Sequence, residues 1–218
     1  MTASPRIPLL LLFPVALSAQ QTQPLRTPPE FAIDQWTTEH GLPQNSVNAM
    51  VIGPDGYLWV GTFGGLARFD GNRFTPVERT DSSGRNIDRV LSLALGPDSA
   101  LWIGTETGLL RRKRGVYQVF TRANGLPDDE VRALLVDRAG TLWIGTKAGG
   151  ISWLRGGRLH SVQQVGGTRI GEVTQIGADA AATVWINAGD GVLRIPRGDG
   201  RAITWHTRPL NRSSFLLN

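Results

Sequence analysis

Three histidines, His40, His160 and His206, and the carboxylate run Asp128-Asp129-Glu130 are the side chains in this 218-residue sequence best suited to moving a proton or holding a metal. A nucleophilic relay needs a serine, a base and an orienting acid that converge in the fold. The three histidines fall at different points of the repeat described below, and no spacing gives any of them a serine and an acid. His40 occupies the place that Asn124 takes two units later, so a polar loop residue accounts for it. Glycoside hydrolysis needs two facing carboxylates, and none are paired by spacing. A cation could sit at Asp128-Asp129-Glu130, but a solvated turn explains the cluster equally. Cysteine is absent, which removes disulfides, thiolate metal sites and thiol nucleophiles. No phosphate-cradling glycine motif is visible. We assign no catalytic residue, no metal site and no cofactor.

Lys and Arg number 23 against 18 Asp and Glu, a net charge of +5 spread thinly along the chain. The one tight basic run, Arg111-Arg112-Lys113-Arg114, has only Tyr117 near it for base stacking, so no nucleic-acid partner is expected. It reads as a solvated edge that discourages strand pairing, with an anionic lipid or polysaccharide contact as the alternative.

The elements that must position any site begin after an address. Ile7 to Leu17 is an apolar run of eleven residues behind Arg6, with the small residues Ala16, Ser18 and Ala19 at and just past its end. That is the layout of a secretory signal peptide, and it is shorter than the ~20 residues a membrane-spanning helix needs. Residues 1–19 are read as a cleaved signal, 20–30 as a linker and 31–218 as the folded repeats. Export without cysteine suits a periplasmic protein stabilised by packing alone.

From residue 31 one unit is written four times. Leu58-Trp59-Val60-Gly61-Thr62 returns as Leu101 to Thr105 and Leu142 to Thr146, then decays to Val184-Trp185-Ile186-Asn187-Ala188. The tryptophans are 43, 41 and 42 residues apart, and a valine precedes each by twelve: Val47, Val90, Val131 and Val173. Gly65, Gly108, Gly149 and Gly191 each follow by six. Within a unit, short apolar runs alternate with turn clusters such as Gly53-Pro54-Asp55-Gly56 and Asp70-Gly71-Asn72. Four short antiparallel strands in ~42 residues are the signature of a β-propeller blade. The fold class is therefore all-β. Trp59, Trp102, Trp143 and Trp185 are read as repeat core packed between blades, and the turn acids Asp55 and Asp137 as structural ties.

These residues resemble the two-component regulator propeller repeat. The match runs through Gly41-Leu42-Pro43-Gln44-Asn45-Ser46-Val47 and Gly125-Leu126-Pro127-Asp128-Asp129-Glu130-Val131, the Leu-Trp-Ile-Gly-Thr centres, and Gly65 to Gly71. The second unit departs from it at Asp81 to Asn86, and the fourth lacks both Gly-Leu-Pro and Gly-Thr. The resemblance covers about residues 31 to 206. It implies a periplasmic, non-catalytic sensor that feeds phosphorelay signalling, with a histidine kinase or diguanylate cyclase elsewhere in a larger protein. It also implies a small-molecule or carbohydrate ligand and a downstream signalling partner, and leaves a homodimer open. The alternatives are a structural or assembly scaffold, and a propeller lyase or hydrolase acting on polysaccharide.

The connections into the innermost strands converge from every blade, so they carry the ligand assignment. In the twelve-residue register they are Asn45 and Ser46, Asp88 and Arg89, Asp129 and Glu130, and Gly171 with Glu172. These positions differ between units while the tryptophans do not.

The register also predicts an open arc. Phe31 to Thr37 is expected to form an outer strand, loose or paired with its nearest neighbour. Phe215 to Asn218 falls where a fifth innermost strand would begin. Seven blades of this length need roughly 290 residues, against 188 from Phe31 to the last residue.

Overall fold

Alternating β-branched and aromatic residues bounded by Gly, Pro and Asp leave each unit little choice but short antiparallel strands. The computed structural model describes residues 33–77, 87–189, 191–196 and 203–207. The chain divides after Gln35, and Ile33 to Gln35, the described part of the first unit, carry no regular structure. The proposed signal, the linker and Phe215 to Asn218 lie outside the described residues.

From Trp36 on, four meanders follow one another. Blade 1 holds β1 (Val47–Ile52), β2 (Leu58–Thr62), β3 (Gly65–Phe69) and β4 (Phe74–Pro76). Blade 2 holds β5 (Val90–Leu95), β6 (Leu101–Thr105), β7 (Gly108–Lys113) and β8 (Val116–Phe120). Blade 3 holds β9 (Val131–Val136), β10 (Leu142–Thr146), β11 (Ile151–Arg155) and β12 (Arg158–Val162). A hairpin that the repeat does not predict, β13 (Gln164–Val165) with β14 (Thr168–Arg169), separates it from blade 4. Blade 4 holds β15 (Val173–Ala178), β16 (Val184–Ala188), β17 (Gly191–Ile195) and β18 (Thr204–Thr207).

The innermost strands pack in sequence, β1 on β5, β5 on β9 and β9 on β15, and among the described residues no comparable packing returns from β15 to β1. The four described blades form an open arc. Its free inner face shows this directly: Val47, Met50 and Ile52 of β1 are 41, 63 and 68 % exposed, whereas Val90, Val131 and Val173 are fully buried. Ile33 to Thr37 forms no strand; Trp36 instead meets the Phe69 ring edge-on at 5.1 Å, within blade 1.

Each seam is built by one device. The glycine two residues after the tryptophan leaves a slot for the first valine of the next blade. A methyl carbon placed on Gly61 would lie 2.4 Å from Val90 Cγ1, and one on Gly145 would lie 2.2 Å from Val173 Cγ1. Around this contact the tryptophan of one blade packs on the next. Trp59 shares a core cluster with Val90, Leu101 and Ile103, Trp102 with Val131, Leu142 and Ile144, and Trp143 with Val173, Val184 and Ile186.

The fourth tryptophan needs a correction. Trp185 is 39 % exposed, while Trp59, Trp102 and Trp143 are at most 7 % exposed. A tryptophan here is buried by the blade that follows it, and no described blade follows the fourth. Asn187 also stands where the other blades carry the glycine slot.

Candidate functional site

The connections into the inner strands and the turns between second and third strands lie at the same end of each blade, here called the inlet face. Three features of the backbone shape it. Before blades 1 and 3 the chain makes a tight 3-10 turn, Thr38–His40 and Arg122–Asn124, ended by Gly41 and Gly125 at φ +90° and +100°. His40 Nδ1 and Asn124 Oδ1 do the same work, accepting the amides of Thr37 (3.1 Å) and Thr121 (2.9 Å). Asn45 Oδ1 and Asp129 Oδ1 reach back to the amides of Thr38 (2.9 Å) and Arg122 (2.7 Å). Two of the residues assigned to ligand are thus turn caps.

The third feature is a bulge at the second residue of each inner strand. Bulges re-aim side chains beside functional surfaces. In blade 1 the bulge turns Asn48 Nδ2 onto Val90 O at 2.8 Å, tying two blades together. In blade 3 it turns Arg132 onto the inlet face.

There the acidic trio scatters. Asp128 Oδ1 accepts the amide of Glu130 at 2.9 Å, Asp129 caps the preceding turn, and Glu130 points into a charged band. Glu130, 15 % exposed, receives Arg132 Nη2 at 2.6 Å and Lys147 Nζ at 2.8 Å. Arg132 Nη1 continues to Glu172 of blade 4 at 2.9 Å. In blade 2, Arg89 pairs with Glu106 and lies 4.9 Å over the Phe63 ring of blade 1. Burial alone raises the Glu130 carboxyl, but the hydrogen bonds from Lys147 and Arg132 outweigh it and hold it below the usual range. Glu130 in turn holds the Lys147 ammonium above its usual range, and Glu106 does the same for Arg89.

Arg89, Glu130 and Glu172 of the assigned residues therefore share one surface. Ser46 is exposed, and Asp88 is half-buried beside Arg89. Glu106, Arg132 and Lys147 were missed. Glu106 and Lys147 both sit four residues after their tryptophan, so the repeat register held the signal. Arg132 is delivered by a bulge that composition does not announce.

With three acids and three bases the band is neutral overall. It presents fixed donors and acceptors, each charge matched within the band. Among the described residues no group of three or more metal-ligating side chains is placed to hold a metal. Each histidine has a local contact: His40 in its turn, His160 stacked on Trp153 at 5.3 Å, and His206 3.4 Å from Thr204 Oγ1.

The basic run also differs from a solvated edge. Arg111 and Lys113 both clamp Asp98, while Arg112 turns the other way, over Trp59. The turn acids are ties as expected, and in blades 3 and 4 they reach the repeat tryptophan: Asp137 and Asp179 accept the indole N–H of Trp143 and Trp185, each at 2.9 Å.

The fold defines a class: consecutive four-stranded blades of a β-propeller. Residues 41–64 and 125–148 match the family described as two component regulator propeller. None of the curated proteins matches the sequence. Among solved structures, the extracellular domains of two hybrid two-component systems from B. thetaiotaomicron are similar in fold. One has a TM-score of 0.63 at 20 % identity, covering 76 % of this chain. The other has a TM-score of 0.67 at 19 % identity, covering 77 %. This chain spans 24 and 25 % of their lengths. Virginiamycin B lyase from Staphylococcus aureus is similar at a TM-score of 0.59 and 14 % identity, covering 75 % of this chain and 56 % of the lyase.

Proposed function

We propose that this chain is the non-catalytic, ligand-sensing propeller part of an extracytoplasmic two-component receptor, with the inlet face as its recognition surface. The observation that supports this reading is the convergence of Arg89, Glu106, Glu130, Arg132, Lys147 and Glu172 from three consecutive blades into one self-neutralised band. A hydroxyl-rich ligand such as an oligosaccharide suits such a band, because it can exchange hydrogen bonds with fixed carboxylates and guanidiniums without bringing charge. The signalling partner would lie beyond this chain, and the leader-like residues 1–19 would place the protein in the periplasm. No described helix is long and apolar enough to cross a membrane. The lyase reading has fold similarity behind it but no described histidine free of a local contact.

Calorimetric screening of neutral oligosaccharides against the chain, followed by the best binder on Glu130→Gln and Glu172→Gln, tests this. Affinity should fall at least tenfold in both variants. Unchanged affinity would move the recognition surface elsewhere, and turnover of any saccharide would favour the lyase reading.

A further inference from the structure

The far side of the first seam, at the end of the blades opposite the inlet face, holds a charge where the repeat calls for an apolar residue. Opposite the first residue of each second strand, blades 1, 3 and 4 place Phe69, Leu154 and Ile195. Blade 2 places Arg112 opposite Leu101. Its guanidinium lies 5.0 Å over the Trp59 ring and 5.8 Å from the Tyr117 ring. Its Nε is buried without a hydrogen-bond partner, and no carboxylate among the described residues forms an ion pair with it.

Arg112 is only partly buried, but a buried N–H left unpaired costs free energy until a partner reaches it. Arg112 lines a cavity of about 430 Å³ between blades 1 and 2, whose rim carries a second guanidinium, Arg68. Arg68 is held only loosely, with Asp55 at 4.0 Å and the Tyr57 ring at 4.0 Å. The equivalent cavity in the second seam, about 320 Å³, has Leu154 in the place of Arg112, and its own Arg111 is already matched by Asp98. One seam holds a guanidinium with an unpaired buried Nε and no ion pair among the described residues, and the other does not.

We propose that the first seam binds an organic carboxylate carrying a single ring, its carboxylate held by Arg112 with Arg68 at the rim and its ring against the Trp59 and Tyr117 wall. Guanidinium and carboxylate match in two parallel hydrogen bonds, and a cavity of this volume falls within the range of small-molecule sites. The Asp55 carboxylate at the same rim selects against a second negative charge. The site is separate from the inlet face and does not depend on its role.

Thermal melts of the chain with glucuronate and benzoate, each beside a neutral counterpart (glucose and benzyl alcohol), test the proposal and separate a sugar acid from an aromatic one. At ten times its Kd, at least one carboxylate should raise the midpoint by roughly 3–6 °C, and its counterpart should not. Arg112→Leu, the residue blade 3 carries, should melt higher than wild type without ligand and lose the response. Arg112→Gln, which keeps a polar group, should lose the response as well if the leucine variant fails to fold. A response retained in either variant, or carboxylates no better than their neutral counterparts, would overturn the proposal.

Discussion

Asp98 shows how a single turn acid can work at the surface of a blade. Hydrogen bonding by Lys113, supported by the Ala100 amide and Arg111, lowers its carboxyl from 3.8 to about 2 against the opposing effect of burial. A carboxyl with a depressed folded value stabilises above its unfolded value and loses that contribution as pH falls through the folded one. The window here is roughly pH 4 down to 2. At a side chain 39 % exposed, solvent screening limits the contribution to about 1 kcal/mol or less. Asp98→Asn should therefore melt below wild type at pH 7 by about that amount, and the difference should vanish by pH 2. Urea melts at the two pH values check this, and a constant difference would assign Asp98 a purely steric role. Asp137 differs in kind, because its carboxylate accepts two turn amides and the Trp143 indole, all at 2.9 Å. Asp137→Ala leaves those donors without their acceptor and should cost about 1–3 kcal/mol in the same melts.

Between elements, stability comes from the way each blade covers the tryptophan before it. Trp102→Ala should cost on the order of 3–5 kcal/mol as a core deletion, whereas the half-exposed Trp185→Ala should cost about 1 kcal/mol or less. A chemical melt of each settles the contrast, and equal costs would refute burial by the following blade. Gly145→Ala drives a methyl into Val173 and should cost about 1–3 kcal/mol as overpacking. Nearly all of this architecture was legible beforehand, since strand lengths, turn residues and the valine-to-tryptophan register are local signals repeated in one chain. The fate of Trp185 was not, because its burial depends on a neighbour rather than on its own unit. The inlet band was legible by half: the connections that supply Arg89, Glu130 and Glu172 follow the register. The turn positions of Glu106 and Lys147 were in the register too but vary in type, and Arg132 reaches the band through a backbone bulge. The Arg111 to Arg114 run misled for a related reason, as strand alternation sends neighbouring cations to opposite faces.

At the largest scale, the four described blades form a short one-dimensional stack in which blades 2 and 3 each pack on two described neighbours and blades 1 and 4 on one. Stability in such stacks is approximately a sum over units and their interfaces. Hydrogen exchange should accordingly be slowest in β6 and β10 and fastest in β1 and β18, and uniform protection across all four blades would contradict that picture. The two ends are also chemically unlike. One offers a bare Val47, the knob that a glycine slot receives, and the other offers Asn187 where that slot would be. A self-complementary pair of ends on an arc that does not close would make every copy a template for the next, the route by which heterologous contacts grow into open filaments. On the described blades Asn187 breaks that complementarity, because an amide side chain stands where the glycine slot would receive Val47.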